Sequence, residues 1–331
     1  MTQTEEPYRS VLVTGAGGYI GRQLIALLAG ERRSLTTIVA TDLRVPAAVE
    51  QLSGVRYAVL DIRDRADVQA ALAHHATDLV VHLAAIVTPG RHSNRQLEYE
   101  VDVVGTENVL HAALVAGVRK LIYTSSGAAY GYHADNAAWL DETDALRGNP
   151  EFAYSDHKRL VEEMLARWRT DHPELHQLIF RPGTILGTGV RNQITDLFDK
   201  PYVLGVRGAD SPFVIIWDRD VVGAIARGIH AGGSGIFNVA GDGTLTLREM
   251  AALMHKPYVA GPVTLVRSVL WLLKRCGLTQ YGPEQVDFLR YRPVLSNRRL
   301  KEEFGYVPQK STRQVFETFL QARRAAHSNQ P

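Results

Sequence analysis

Two residues four apart carry the first chemical signal. In the stretch Phe152-Ala-Tyr154-Ser-Asp-His-Lys158, Tyr154 and Lys158 share one face of a helix whose apolar stripe continues through Val161, Met164, Leu165 and Trp168. A free phenol, with a pKa of about 10, is a weak acid or base at neutral pH. An adjacent ammonium is expected to lower that value, making the pair a proton donor or acceptor for a substrate hydroxyl or carbonyl. Tyr-x-x-x-Lys also arises by chance, with the ring in the core and the lysine reaching outward. The pair therefore gains meaning only from its surroundings. Ser125-Ser126 closes the apolar run Arg119–Thr124. A serine there either caps a turn or faces a ligand, since parallel sheets bind ligands beyond the carboxyl ends of their strands.

The elements that must position these groups are legible as an alternation. Ser10-Val-Leu-Val-Thr14 runs into Gly15-Ala-Gly17-Gly18-Tyr19-Ile20-Gly21, followed by Leu24, Leu27 and Leu28 at helical spacing. Strand, glycine turn and helix in that order are the setting of a dinucleotide site: glycines admit a pyrophosphate to the backbone, and the helix start offers free N–H groups. A plain tight turn is the competing reading. The run Thr37–Thr41 ends in Asp42, where an acid binds both ribose hydroxyls and repels a 2′-phosphate. NAD is thus expected over NADP, with Arg44 keeping NADP as the minority case. Further strands are expected over Arg56–Leu60, Asp78–His82, Arg119–Thr124 and Leu175–Phe180, with helices over Arg65–Ala73 and Gln96–Ala116. The small residues of Leu83-Ala84-Ala85 suit either a cofactor crossing the backbone or close helix packing. The class is α/β, a Rossmann doubly wound parallel sheet with a smaller, interleaved C-terminal substrate lobe.

Length and composition bound the rest. The 331 residues carry a formal net charge of +2, which implies neither nucleic acid nor an anionic membrane as partner. No secretory signal is visible at the start, and the apolar run Val263–Leu273 is broken by Arg267 and too short to span a bilayer. That run reads as an amphipathic helix, expected first to pack in the core or cover the pocket, with meeting a partner subunit or touching a membrane surface as the alternatives. The single cysteine, Cys276, excludes an internal disulfide and a cysteine zinc site, and no histidine spacing suggests a metal. His82 and His92 read as structural or exposed. A cytoplasmic protein is expected.

With Thr14-Gly-x-x-Gly18-x-x-Gly21, Asp42, Asp61, His82-Leu-Ala-Ala85, Thr124-Ser-Ser126, Tyr130-Gly131 and Tyr154-x-x-x-Lys158 in order, the chain resembles the extended short-chain dehydrogenases/reductases. More narrowly, it is similar to the NAD-dependent epimerase/dehydratase family. Ile236–Gly241, Leu245–Glu249 and Leu300–Pro308 extend the likeness along nearly the whole chain. The resemblance implies Tyr154 as catalytic acid/base, Lys158 holding the nicotinamide ribose, and Ser126 bonding the reacting oxygen. It implies Gly15, Gly18 and Ile20 at the pyrophosphate, Asp42 at the adenosine ribose, and Asp61-Ile62 at the adenine. Tyr19, Gly21, Leu43, Leu83, Ala84, Ala85, Thr124, Pro182 and Gly183 complete the expected cofactor set. It further implies a homodimer through the helices near 96 and 154.

Three departures narrow the activity. Gly127-Ala128 stand where sugar-nucleotide dehydratases carry an acidic pair. No Arg precedes Pro212–Val221 in the slot that pairs with a nucleotide-sugar diphosphate, although Arg191 or Arg207 has the reach to substitute. Asp102 replaces the usual Asn. The expected activity is hydride transfer between NAD and a hydroxy or keto carbon of a small, sugar-like or other non-nucleotide substrate. The alternatives are a sugar-nucleotide 4-epimerase and, in another class, a non-catalytic NAD sensor, which the intact Ser126, Tyr154 and Lys158 argue against. Residues 1–185 are expected to bind NAD, with parts of 213–241 returning to them, and 186–331 to bind substrate. Thr88, Ser126, Tyr154, Thr184, Arg191 and Arg207 are the expected substrate contacts, with Tyr132, His133, Asn192 and Trp217 as further pocket candidates.

Overall fold

The computed structural model describes residues 7–87, 94–190, 193–209, 212–231, 233–277, 282–283 and 285–328. The first half alternates β1 (Ser10–Thr14), α1 (Tyr19–Gly30), β2 (Thr37–Asp42), β3 (Arg56–Val59), α2 (Arg65–His74) and β4 (Leu79–His82). The next helical stretch is α3 (Arg95–Tyr99), a π-turn at Glu100–Val104, and α4 (Gly105–Val115). Then come β5 (Lys120–Thr124), α5 (Ala153–Asp171) and β6 (His176–Pro182). These strands form one parallel sheet, order β6-β5-β4-β1-β2-β3, which a later strand, β10 (Gly235–Val239), extends beyond β6. Crossing from β1 to β4 reverses the strand order and opens a crevice at the carboxyl edge.

The strands are β-branched and leucine-rich because both sheet faces are covered. On one face Val11, Val13, Ile38 and Val81 pack against Leu24 and Leu28 of α1 and Ile225 of α7 (Asp218–His230). On the other, Leu12, Val39, Val80 and Leu121 meet Leu72 of α2, Leu110 of α4 and Leu165 of α5. The predicted helix over Gln96–Ala116 is present but interrupted by the π-turn, which no periodicity announces.

The smaller lobe is built from short pieces. β7 (Thr184–Leu186) pairs with β9 (Ile215–Trp217), and β8 (Val203–Val206), after α6 (Gln193–Phe198), pairs with β11 (Tyr258–Gly261). α8 (Leu247–Leu253) starts with a full capping box between Thr246 and Glu249. α9 (Val263–Arg275), α10 (Gln285–Arg290), α11 (Arg298–Glu302) and α12 (Thr312–Ser328) follow. α9 corrects one expectation. Only Val266 is buried, in a small cluster with Val206 and Val286, while Leu265, Val269, Trp271 and Leu272 are each about half exposed. It is neither core nor lid. Among the described residues no helix is long and apolar enough to cross a membrane, and no group of His, Cys, Asp or Glu is placed to hold a metal.

Candidate active site

The glycine turn does what its composition requires. Gly15 has φ of 67°, and a Cβ there would lie 2.6 Å from the Ala84 nitrogen, so β1 and the segment after β4 approach as only glycine allows. α1 begins after Gly18 with no side-chain cap and no acid in its first turn, leaving its leading N–H groups for an anion. Asp42, at the end of β2, accepts the Gly17 N–H at 2.9 Å through Oδ2 and the Leu43 N–H through Oδ1. The carboxylate is thereby fixed over the turn with lone pairs to spare for ribose hydroxyls. Leu43 is exposed beside it. Asp61 pairs with Arg63 at 2.6 Å, and Ile62 is buried next to it, both just past β3.

From this turn a cavity of about 400 Å³ runs along the carboxyl edge of the sheet. Gly15, Gly18, Tyr19, Ile20 and Gly21 line its start, and Leu83, Ala85, Thr124, Pro182 and Gly183 continue it. The buried Thr124 Oγ1 on this wall has no partner, as suits a surface completed by a ligand. Phosphate-ready N–H groups, a ribose-ready carboxylate and a small-residue floor fit a dinucleotide.

Ser126, Tyr154 and Lys158 meet at the middle of the cavity. Ser126 caps a short turn, accepting the Ala128 N–H at 3.1 Å, and its hydroxyl is also within hydrogen-bonding reach of the Tyr154 phenol. This serine caps the turn and also lines the cavity. Its neighbour Ser125 turns inward to Glu162. There Arg181 bonds Glu162 and, at 2.7 Å, the hydroxyl of the buried Tyr130, tying β5, α5 and β6 together. His82 is structural as expected. It sits between Thr14 and Thr106, and burial pulls it down to about 3.

The Tyr154–Lys158 pair differs from expectation in one respect. The Lys158 Nζ bonds the Thr124 carbonyl at 2.9 Å and the Tyr123 hydroxyl at 3.0 Å, and stands 5.9 Å from the Tyr154 ring centre. Burial pushes the Tyr154 phenol above its ordinary value, opposed by the Ser126 hydrogen bond, rather than the ammonium pulling it down. Burial also draws Lys158 from 10.5 to about 8. Desolvation dominates because both groups lie in a dry, mostly apolar wall.

The substrate end holds the residue that sequence reasoning missed. Arg292 is sandwiched between the Phe213 and Phe288 rings at 4.0 and 4.2 Å, bonds Thr184 Oγ1 at 3.2 Å, and leaves Nη1 buried without a partner. Burial pulls it down to about 10. Its segment carries no periodic pattern; the only signal is an arginine set among Phe288, Tyr291 and Pro293. Thr184 and Tyr132 line the cavity as expected. Arg207 does not: it is exposed in the turn just after β8, where its N–H bonds the Gly261 carbonyl. An arginine in a solvent-facing turn had reach but no burial to aim it. His133 turns away to the Gly148 carbonyl, and Trp217 stacks under Lys310 outside the cavity. Thr88, Arg191 and Asn192 lie outside the described residues, as does His92. Gly127 lies against the Leu295 side chain, where a Cβ would stand 2.8 Å from Cδ1, so any larger residue there would displace that side chain.

Fold and site together fit a dinucleotide-dependent enzyme, with Ser126, Tyr154 and Lys158 gathered on one wall of the cavity. Residues 11–201 match the NAD dependent epimerase/dehydratase family, and the chain belongs to that family, within the extended short-chain dehydrogenases/reductases. An uncharacterised protein of Mycobacterium tuberculosis is 24% identical over 95% of this chain and 84% of its own length. The 3beta-hydroxysteroid-dehydrogenase/decarboxylase isoform 2 of Arabidopsis thaliana is 25% identical, covering 96% of this chain and 63% of that protein. Among solved structures, a UDP-glucose 4-epimerase of Thermotoga maritima with UDP-glucose superposes with a TM-score of 0.73 at 18% identity, covering 96% of this chain and 99% of the other.

Proposed function

We propose that this enzyme transfers hydride between NAD and the hydroxyl- or keto-bearing carbon of a small, non-nucleotide substrate with a mainly apolar body and one anionic group. One observation carries this reading: the wall facing Tyr154 is Val87, Tyr132, Phe152, Val190, Val214, Phe288 and Leu295, with Arg292 as its charged side chain among the described residues. A uridine or a sugar ring presents many hydroxyl, carbonyl and amide groups, each needing a partner when buried. An apolar skeleton needs none, and one carboxylate or phosphate satisfies the open side of Arg292. The Arabidopsis relative, whose name marks a steroid substrate, is in keeping with an apolar skeleton.

The bound nicotinamide supplies or accepts the hydride. In the oxidising direction the substrate O–H proton passes to the Tyr154 oxygen as the C–H bond breaks, leaving a ketone. In the reducing direction Tyr154 returns the proton to the forming alkoxide. Ser126 holds the same oxygen, and Lys158, anchored on Thr124, sets the charge beside it. Burial keeps Tyr154 protonated at neutral pH, so the site stands ready to donate to a ketone. We also assign a cytoplasmic homodimer joined through α4 and α5; solution mass by light scattering checks the assembly.

The test is a panel of ketones and secondary alcohols, with and without a carboxylate or phosphate, incubated with NADH or NAD and followed by nicotinamide absorbance. Turnover of an anionic, mainly apolar ketone is the expected result. Interconversion of UDP-sugars with NAD retained, and no net turnover of the panel, would replace this reading with the sugar-nucleotide 4-epimerase.

A further inference from the structure

The π-turn at Glu100–Val104 brings one buried carboxylate to the back of the site. Asp102 is 3% exposed, and its Oδ1 accepts the Ile86 N–H at 2.8 Å. Its Oδ2 stands 3.2 Å from Nδ1 of His157, which is 1% exposed and immediately precedes Lys158 on α5. His157 Nε2 has no partner, and Tyr99 packs edge-on against the ring at 5.6 Å. π-turns inside helices recur at functional sites. This one connects the loop that floors the cofactor cavity to the helix that bears the proton-transfer pair.

We propose that Asp102, with His157 as its hydrogen-bond donor, is a positioning residue that clamps the loop after β4 to α5 and supplies the negative charge that keeps the Lys158 ammonium protonated. The clamp follows from the two contacts, because Ile86 lies between Ala85 and Val87, both on the cavity wall. The 3.2 Å contact places an imidazole proton on Nδ1, because a carboxylate can only accept there.

The charge argument rests on which groups face Asp102. From α5 these are His157, Lys158 and Tyr154; from β5, Tyr123; from α3, Tyr99; and from β4, His82, reached through the Thr106 hydroxyl that donates to the Asp102 carbonyl. Burial keeps His82 neutral and pushes both Tyr123 and Tyr154 up, which leaves Lys158 as the one ammonium in this set. The other carboxylate acting on Lys158, Glu162, is already committed to Arg181 through three contacts. Among the described residues the Asp102 carboxylate has no guanidinium or ammonium as a hydrogen-bond partner, and its charge acts on Lys158 through space.

Asp102→Asn and Asp102→Ala separate position from charge in the full-length chain. The amide keeps an acceptor for Ile86 and loses the charge; alanine loses both. The readouts are the titration of Lys158 by carbon NMR of labelled lysine, assigned with Lys158→Met, and the Kd for NAD. Neither needs a substrate, so their outcome is independent of the proposed activity. The wild-type midpoint is expected near 8. It should move down by about one pH unit in Asp102→Asn. The Kd for NAD should stay within about twofold for Asp102→Asn and rise about tenfold for Asp102→Ala, the worth of one lost hydrogen bond. His157→Asn, which retains both a donor and the carboxylate, should leave the midpoint in place. An unmoved midpoint in Asp102→Asn, or a shifted one in His157→Asn, overturns the charge role. Equal NAD affinity in the alanine and asparagine variants overturns the clamp.

Discussion

The two ends of the cavity are built on different principles. At the cofactor end each group hangs from the end of a regular strand or the start of a long helix: Gly15 after β1, Asp42 at the end of β2, Ser126 after β5, Tyr154 on α5. Their separations are set by the sheet, and their spacing in sequence follows. At the substrate end, Val190, Phe213, Phe288 and Arg292 come from the edges of short strands and brief helices that pack around one another. Nothing periodic fixes them. The cofactor end is polar by design of the backbone, through free N–H groups and one carboxylate. The substrate end is apolar, with a guanidinium gripped by two rings. Chemistry is thus held rigid where every member of such a fold needs it, and recognition is assigned to the part free to vary.

The sharpest way to break this contrast is at its hinge, Tyr154. Tyr154→Phe removes the transferable proton and leaves the ring packing. Turnover of whichever panel substrate is active should fall about 10²- to 10⁴-fold, the range for a lost acid/base group. The Kd for NAD, followed by fluorescence, should hold, since the cofactor end owes it little. Retained turnover would remove Tyr154 from the mechanism. The same group gives a pH signature. Because burial raises the phenol, the base form needed for alcohol oxidation is scarce at neutral pH and grows with pH. Oxidation should therefore speed up as pH rises, while ketone reduction, which uses the protonated form, should stay flat across neutral pH.

A smaller effect, confined to the other end, is expected of Arg292→Met. Methionine fills the slot between Phe213 and Phe288 but cannot bind an anion. The KM for an anionic substrate should rise about 10- to 100-fold, a charge-assisted hydrogen bond's worth, with NAD affinity unchanged. An equal loss for a neutral analogue would show that Arg292 shapes the wall rather than reads charge. At the cofactor end, Asp42→Ser should narrow the preference for NAD over NADP about tenfold by removing the repulsion of a 2′-phosphate. Unchanged discrimination would place the ribose elsewhere.

These variants follow a division already visible in the sequence. Six of the seven strands of the sheet, the glycine turn, Asp42, Ser126 and the Tyr154–Lys158 face could be read from runs and spacings, because each sits at the junction of a strand or helix with a turn. β10, which closes the sheet beyond β6, was not read as a strand. Gly127 was legible as a departure, and the structure sets it against the Leu295 side chain. Arg292 was not legible, and Arg207 was chosen in its place, because both stand in unpatterned chain and only burial tells them apart. The π-turn was hidden for a similar reason: one extra residue in a helical turn leaves the apolar repeat almost intact, so Asp102 could be marked as unusual but not aimed. The raised rather than lowered Tyr154 escaped as well, since the depth of burial around a side chain follows from packing far away in sequence.

The smallest effect concerns what the dry wall does to Lys158. Its folded-state value is lowered, from 10.5 to about 8. Between those values the unfolded chain binds more protons than the folded one, so this residue's contribution to stability rises with pH across the window. Below pH 8 the folded protein carries a buried ammonium held only by Thr124, Tyr123 and the field of nearby carboxylates, and that burial is unfavourable. Lys158→Met removes the titration while preserving much of the volume. The difference in Tm between variant and wild type should therefore move in favour of the wild type as pH is raised from about 8 to about 10.5, whatever its sign at neutral pH. A difference that stays constant across that range would mean that Lys158 titrates alike in the folded and unfolded chain, and that the wall beside Tyr154 is wetter than its packing indicates.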